Sequence, residues 1–458
     1  MVPERLQPIL DEVHPLAERF EAAGHRLYLV GGIVRDLLLG RELRHPDFDL
    51  TTDARPEQTT AVLKGWAEAI WDQGAKFGTI GAKVGERTYE ITTHRGEVYT
   101  SDSRKPEVEF SSDIEADLSR RDFTVNAMAL ALPEPHLIDP FGGAADLAAG
   151  VLRTPSGPQV SFGDDPLRMM RAARFIAGYG LVPTDELRAA VVEMHERLEI
   201  VSAERVRDEL DKLLVVDDPS AGLWFLVDTG LADHFLPELG AMRLEQDPIH
   251  RHKDVLAHSI AVTAKTRRER IVRIAALLHD IGKPRTRAIG PNGVSFHHHE
   301  VVGARMARKR MTALRYSSQD IDAVARLVDL HLRFHTYKMG WTDSAVRRFV
   351  RDAGPYLSEL IELTRCDCTT RNARKAATLA ARMDELEVRI AELQSQEELA
   401  SIRPDLDGRQ VMDALGLSPG PDVGRAMGFL MELRLEEGPL GPDEARRRLT
   451  DWWATQSS

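Results

Sequence analysis

The sequence predicts an α+β head followed by an elongated all-helical neck and body, and three observations carry that reading. From Tyr28 to about Leu130, short strand-like apolar runs outnumber helical stretches. From Phe162 onward nearly every segment follows the helical period, with breaks near Pro183, Pro219, Pro237, Pro248, Pro291 and Pro355. The change of character falls at Pro155-Ser-Gly-Pro158.

The elements follow in order. Residues 4–24 place Leu6, Leu10, Val13, Leu16 and Phe20 on one helical face, with Pro8 and Pro15 expected to kink or split the stretch. Tyr28–Val30 is a short strand that breaks at Gly31-Gly32 and restarts as a helix from Ile33 to Leu39. Further strands are expected at Phe48–Thr51, Gly78–Val84, Thr88–Thr93 and Met128–Leu132, with a helix near Thr59–Trp71. Residues 94–119 are polar and aperiodic, which predicts a long loop.

A chain of 458 residues needs more than one domain, and 43% hydrophobic with 29% charged residues is the balance of a soluble globular protein. A net charge of −12 argues against a protein that coats nucleic acid non-specifically, while leaving room for a local basic site such as Arg371-Asn-Ala-Arg-Lys or Arg446-Arg-Arg. No DNA partner is expected. Cys366 and Cys368 are too close in sequence for a favourable disulfide, so free thiols in a reducing, cytoplasmic setting are expected. No apolar run reaches membrane-spanning length, so no membrane partner is expected either.

The chemistry begins at residues 29–52. A strand, a glycine pair and a helix start let backbone N–H groups face a phosphate without a Cβ in the way, which points to Gly31 and Gly32. Asp47 and Asp49 lie at i and i+2 of a strand and share a face. Paired carboxylates beside a phosphate cradle suit Mg²⁺, which favours oxygen ligands and keeps substrate phosphates in its shell. Together these read as a nucleotidyl-transfer site. Glu90, on an alternating strand, is a candidate third carboxylate or an exposed strand glutamate.

Arg120-Arg-Asp-Phe-Thr-Val-Asn126-Ala127 joins arginines suited to triphosphate oxygens with a carboxylate suited to a ribose hydroxyl. In Asp164-Asp165-Pro-Leu-Arg168-Met-Met-Arg171-Ala-Ala-Arg174, three arginines recur every third residue, and the stripe is expected to face an anion. A fixed Asp acceptor beside a fixed Arg donor would accept cytosine and adenine, which pair an amino donor with a ring-nitrogen acceptor. It would leave unpaired groups opposite guanine and uracil.

In this order and spacing, the motifs from Leu29 to about Leu214 resemble those of the class II CCA-adding tRNA nucleotidyltransferases of the DNA polymerase β superfamily. The resemblance implies a polymerase-β-like head and addition of C, C and A to a tRNA acceptor end from CTP and ATP. It implies Mg²⁺ on Asp47 and Asp49, triphosphate on Gly32, Arg35 and Arg121, ribose on Asp122 with Asn126 beside it, and base on Asp165 and Arg168. Arg171 and Arg174 follow as further nucleotide contacts, and Glu204 to Lys212 is similar to a helix that supports the base-reading one, with Arg205–Glu209 and Asp208–Lys212 spaced for salt bridges. Residues 96–119 are similar to the loop the family needs for its final A. His258, His279, Asp280 and Asp367 resemble the HD pattern of metal-dependent phosphohydrolases, implying a divalent transition metal. His297, His298, His299, His331 and His335 are candidates for a second metal's ligands.

The expected division is a head at 1–153, a neck and body at 154–247, an all-α HD domain at 248–372 and a helical tail at 373–458. The alternatives are an A-adding enzyme, a poly(A) polymerase, or an HD phosphohydrolase with a nucleotide-sensing head.

Overall fold

The computed structural model describes residues 7–41, 48–98, 107–244, 254–290, 293–336, 340–368, 373–399 and 402–456. The chain divides into two compact units, Met1–Phe235 and Leu236–Ser458.

In the first unit, α1 (Gln7–Ala22) runs as one helix through Pro15. The expected break does not occur: Leu10, Val13, Leu16, Ala17 and Phe20 bury one continuous face, which offsets the bond lost at the proline. The head sheet is built from β1 (Leu27–Val30), β2 (Phe48–Thr52), β3 (Ala69–Trp71), β4 (Thr79–Val84) and β5 (Arg87–Thr93). After a separate hairpin of β6 (Arg95–Val98) and β7 (Glu107–Phe110), it is completed by β8 (Ala129–Leu132) and β9 (Leu137–Ile138). The strand order is β3-β4-β5-β2-β1-β8-β9, with β2 and β5 parallel and the other pairs antiparallel.

Leu27 and Leu29 of β1 join Phe48, Leu50 and Ile91 in the larger core, together with α1, α2 (Gly32–Leu38) and α3 (Pro56–Leu63). Tyr28 and Val30 face the opposite way, onto Ile114 and Leu118 of α4 (Ile114–Ser119). Period-two alternation thus puts Asp49 on the face opposite the main core, where it is exposed.

Two sequence expectations change. The helix near Thr59–Trp71 ends at Leu63, because the chain turns at Gly65 with φ +78°, and Ala69–Trp71 becomes the edge strand β3. The loop at 94–119 contains β6, β7 and α4. Arg95↔Phe110 through Val98↔Glu107 pair as a two-stranded ribbon, which charged residues disguise in sequence.

The first unit continues through α5 (Gly143–Ala149), α6 (Pro158–Asp164), α7 (Leu167–Tyr179), α8 (Asp185–Met194), α9 (Ala203–Leu214) and α10 (Ser220–Asp228). In the second unit, helices Val255–Lys265, Arg270–Leu278, His299–Ala313, Ser318–Leu330 and Leu357–Asp367 carry or adjoin the histidines of the HD pattern. A 24-residue helix, Ala373–Gln396, leads to three shorter ones around Leu406, Val411, Leu430 and Leu449, where Phe429 and Trp452 stack at 4.4 Å. Just past the long helix, Glu397 accepts from Arg347 Nε at 2.7 Å and pairs with Arg434 at 3.1 Å, all three side chains buried. Among the described residues, no helix is long and apolar enough to cross a membrane.

Candidate nucleotide and metal sites

Gly31 is where strand becomes helix. Its φ of +72° is left-handed, which favours glycine, and an added Cβ would lie 2.9 Å from Arg121 Nη1 and displace that guanidinium. The missing side chain is what lets Arg121 lie against the start of α2. Asp49 and Glu90 are direct register partners on the parallel pair β2/β5, and both are exposed. This adjacency brings two candidate carboxylates to one patch of the sheet; Asp47 lies outside the described residues. Exposed carboxylate oxygens on a rigid sheet face fit a hard cation such as Mg²⁺.

Arg120 and Arg121 are held from behind by Asp117, at 2.9 and 3.3 Å. Sequence reasoning missed Asp117, although its spacing of three and four residues from those arginines is the helical pairing distance. Burial pushes the Asp117 carboxyl up, but Arg121 and Arg120 outweigh it and hold the group below its usual value. Its stabilisation is therefore complete above the unfolded value, about pH 4, and is lost as pH falls through the lower folded value. Asp117→Asn should flatten the acid limb of urea midpoint plotted against pH below about pH 4. An acid limb identical to wild type would refute this assignment.

Asp122 is buried and its two oxygens are divided. Oδ1 accepts from the Phe123 backbone N–H at 2.8 Å and from Asn126 Nδ2 at 3.0 Å. Oδ2 accepts from Arg171 Nε at 2.8 Å and lies 2.5 Å from Nη2. Asn126 Oδ1 in turn accepts from Arg35 Nη1 at 2.6 Å, and Arg35 makes two 3.0 Å bonds to Asp36. A continuous chain thus runs from α2 through the Asp122 segment to α7.

The expected stripe of arginines facing an anion is corrected by these contacts. Arg171 faces Asp122, and Arg174 Nε donates to the buried Glu209 at 2.8 Å. Two of the stripe's three like charges are balanced by protein carboxylates from other elements. At the head of α7, Asp165 accepts from Leu167 N at 3.1 Å and from Arg205 Nη2 at 2.9 Å. Arg168 donates to Ser161 Oγ at 2.8 Å and to the Arg120 carbonyl at 2.5 Å. The two residues are thus positioned separately. On α9, Arg205 pairs with Asp165 rather than Glu209, and Lys212 pairs with Glu209 rather than Asp208, because Glu209 turns inward toward Arg174. Ser161, Glu209 and Arg205 thus support Arg168, Arg174 and Asp165 in turn; Ser161 alone gave no sequence signal, while Glu209 and Arg205 lie on the helix expected to support the base-reading one.

The second unit gathers a compact cluster. His258 Nε2 is 2.8 Å from Asp367 Oδ1, 3.3 Å from His279 Nε2 and 3.7 Å from Asp280 Oδ2. Asp280 Oδ1 is 3.3 Å from His299 Nε2, which is 3.2 Å from His331 Nε2. Two groups therefore share Asp280: His258 and His279 on one side, with Asp367 beside them, and His299 and His331 on the other. His279, His299 and His331 each direct Nδ1 to the carbonyl three residues earlier, at 2.8, 2.8 and 2.6 Å. That bond fixes the tautomer and leaves Nε2 as a lone-pair donor, the arrangement metal-binding histidines use. The residues present fit a pair of divalent transition-metal ions.

Of the five candidates for the second ion, His299 and His331 converge with Asp280. His297 and His298 are exposed, and His335 packs edge-on to Phe334. Burial pushes His279 down, but the Asp280 and Asp367 carboxylates outweigh it and raise it to about 10, so ligation of an ion through its Nε2 has to displace the proton that these carboxylates hold there. Burial and the neighbouring His279 push His331 down to about 3.

Comparison with known proteins agrees with this division of labour. The Poly A polymerase head domain matches residues 27–153, the probable RNA and SrmB-binding site of polymerase A matches 180–242, and the HD domain matches 255–392. Fold and matches define a nucleotidyltransferase head with an RNA-binding region and an HD module. An A-adding tRNA nucleotidyltransferase of Deinococcus radiodurans is 34% identical over 446 residues, covering 94% of this chain and 96% of that protein. At that identity and coverage, this chain belongs to the tRNA nucleotidyltransferase family. A CCA-adding enzyme of Lactobacillus delbrueckii is 37% identical over 230 residues, covering 50% of this chain and 56% of that enzyme. The fold is also that of the Bacillus stearothermophilus CCA-adding enzyme in complex with CTP, with a TM-score of 0.70 at 23% identity over 100% of this chain and 99% of that one.

Proposed function

We propose that this protein adds C, C and A to the tRNA 3′ end from CTP and ATP. The observation that carries the reading is the placement of Asp165 and Arg168 at the start of one helix, each braced by a different neighbour. An acceptor fixed just ahead of a helix and a donor on that helix's first turn, each held by its own partners, are what a protein needs to choose cytosine and adenine without a nucleic-acid template. Asp165 would accept from the base amino group, and Arg168 would donate to the adjacent ring nitrogen. Gly32 would offer its backbone N–H to the triphosphate beside Gly31, whose own N–H donates to the Met128 carbonyl at 3.4 Å, with Arg35 and Arg121 on the triphosphate oxygens. Asp122 and Asn126 would orient the ribose side.

Mg²⁺, held by Asp47 and Asp49 with Glu90 adjacent, would supply activation of the 3′-hydroxyl and charge neutralisation of departing pyrophosphate. The HD cluster, with His258, His279, Asp280 and Asp367 at its centre, supports metal-dependent phosphate-ester hydrolysis as an additional activity. We assign residues 1–153 to the head, 154–247 to neck and body, 248–372 to the HD domain and 373–458 to the tail.

A second reading, addition of A alone, is favoured by the full-length match to an A-adding relative. Incorporation into three tRNAs, ending before C, after CC and after CCA, separates the readings. CTP into the first, ATP into the second and nothing into the third is expected. ATP into the second alone would establish A addition, and long A tails on all three would establish a poly(A) polymerase.

A further inference from the structure

The base-reading helix α7 is 13 residues long, so its two ends lie about 20 Å apart. Near its N-terminal end it is tied to the head through Arg168 and Arg171. Its middle is held by Arg174 on Glu209 and by Phe175 on Phe123, which leaves the placement of its last turn to contacts at that end. Its other end finishes on Tyr179, and Gly180 terminates the helix at φ +66°. The Tyr179 ring receives two guanidinium groups: Arg35 of α2 at 4.1 Å from the ring centroid, and Arg41 just beyond α2 at 4.4 Å. Arg41 Nη2 also donates to the Gly178 carbonyl at 3.3 Å, and Phe175 packs on Tyr179 at 5.2 Å. Two like charges drawn to one aromatic ring, beside a carbonyl at a helix C-terminus, make a latch in which the ring's negative π face and the helix end both favour the cations.

We propose that Tyr179 is a positioning residue for nucleotide choice. It fixes the far end of α7 to the phosphate-binding helix, so that Asp165 and Arg168 are presented at a constant angle to the incoming base. The proposal rests on the nucleotidyl-transfer reading and on the base-reading role of α7. Tyr179 touches no nucleotide in this scheme, so its loss should blur selection more than it weakens triphosphate binding.

The test is kinetic, using the full-length protein and a tRNA ending in CC. The ratio of kcat/KM for ATP to that for GTP is measured in wild type, Tyr179→Phe, Tyr179→Ala and Arg41→Gln. Tyr179→Ala should lower the ratio about tenfold with KM for ATP changed less than about twofold, and Tyr179→Phe, which keeps the ring, should match wild type. Arg41→Gln removes one cation at an exposed position and should lower the ratio about threefold, an arm that stands even if Tyr179→Ala does not fold. An unchanged ratio in the folded variants overturns the proposal, as does an equal loss for both nucleotides. A wild-type protein that incorporates nothing would overturn the nucleotidyl-transfer reading itself. Wild-type incorporation with an unchanged variant ratio would overturn only the role of Tyr179.

Discussion

Asp49→Ala is expected to lower nucleotide incorporation by about a thousandfold or more while leaving thermal unfolding nearly unchanged. The side chain is exposed, lies on the sheet face away from the main core, and contributes no buried apolar area. Its removal should therefore cost little stability. If it holds Mg²⁺, its loss removes several kcal/mol of charge stabilisation from the transition state, and each 1.4 kcal/mol is about tenfold in rate. Single-turnover incorporation of labelled ATP into a CC-ended tRNA at saturating Mg²⁺ measures this directly. A loss below about tenfold in a folded variant would remove Asp49 from the metal site and shift attention to Glu90, its register partner on the neighbouring strand.

The second large effect is expected at Asp280. One carboxylate serves both histidine pairs of the HD cluster, so Asp280→Ala should abolish binding of both ions, whereas His331→Ala should abolish one. Loss of a supporting residue alone typically costs 10–100-fold in metal affinity, and loss of a shared ligand should exceed that. Metal content after incubation with Mn²⁺ and gel filtration gives the count. Nucleotide incorporation by Asp280→Ala should stay at wild-type level, because the transfer residues belong to the other compact unit. Two ions retained by Asp280→Ala would show that the convergence of Nε2 atoms on this carboxylate is not a metal site.

The chemistry-bearing motifs were legible because each is local. A glycine pair between strand and helix, carboxylates two apart, and Asp165 three before Arg168 all express a backbone period within a few residues. What was not legible depends on partners far along the chain. The arginines of α7 read as facing an anion because like charges at helical spacing need compensation. The compensation comes from Asp122, 49 residues before Arg171, and from Glu209, 35 residues after Arg174. No periodicity records such a pairing. The ribbon of β6 and β7 was hidden for a related reason, since it is defined by mutual backbone pairing and not by an apolar face. Among the five extra histidines, sequence alone gave no ground for choosing His299 and His331. The choice follows from where two helix ends meet Asp280.

The buried Arg347–Glu397–Arg434 group bears on where the second unit can be cut. The HD match ends at residue 392, five residues before Glu397, and the expected HD and tail segments meet at 372/373. A fragment ending at either place keeps Arg347 but discards the carboxylate that neutralises it. It also discards the carbonyls of Leu435 and Glu436, to which Arg347 Nη1 donates. Such a fragment loses the buried ion pair and also uncovers the face of the Arg347 helix that the removed segments cover, a loss to be set against a domain stability of only about 5–15 kcal/mol. Expression vectors for the isolated HD module should therefore extend past Gly438, where an added Cβ would collide with the Arg347 guanidinium, rather than stop at the edge of sequence similarity.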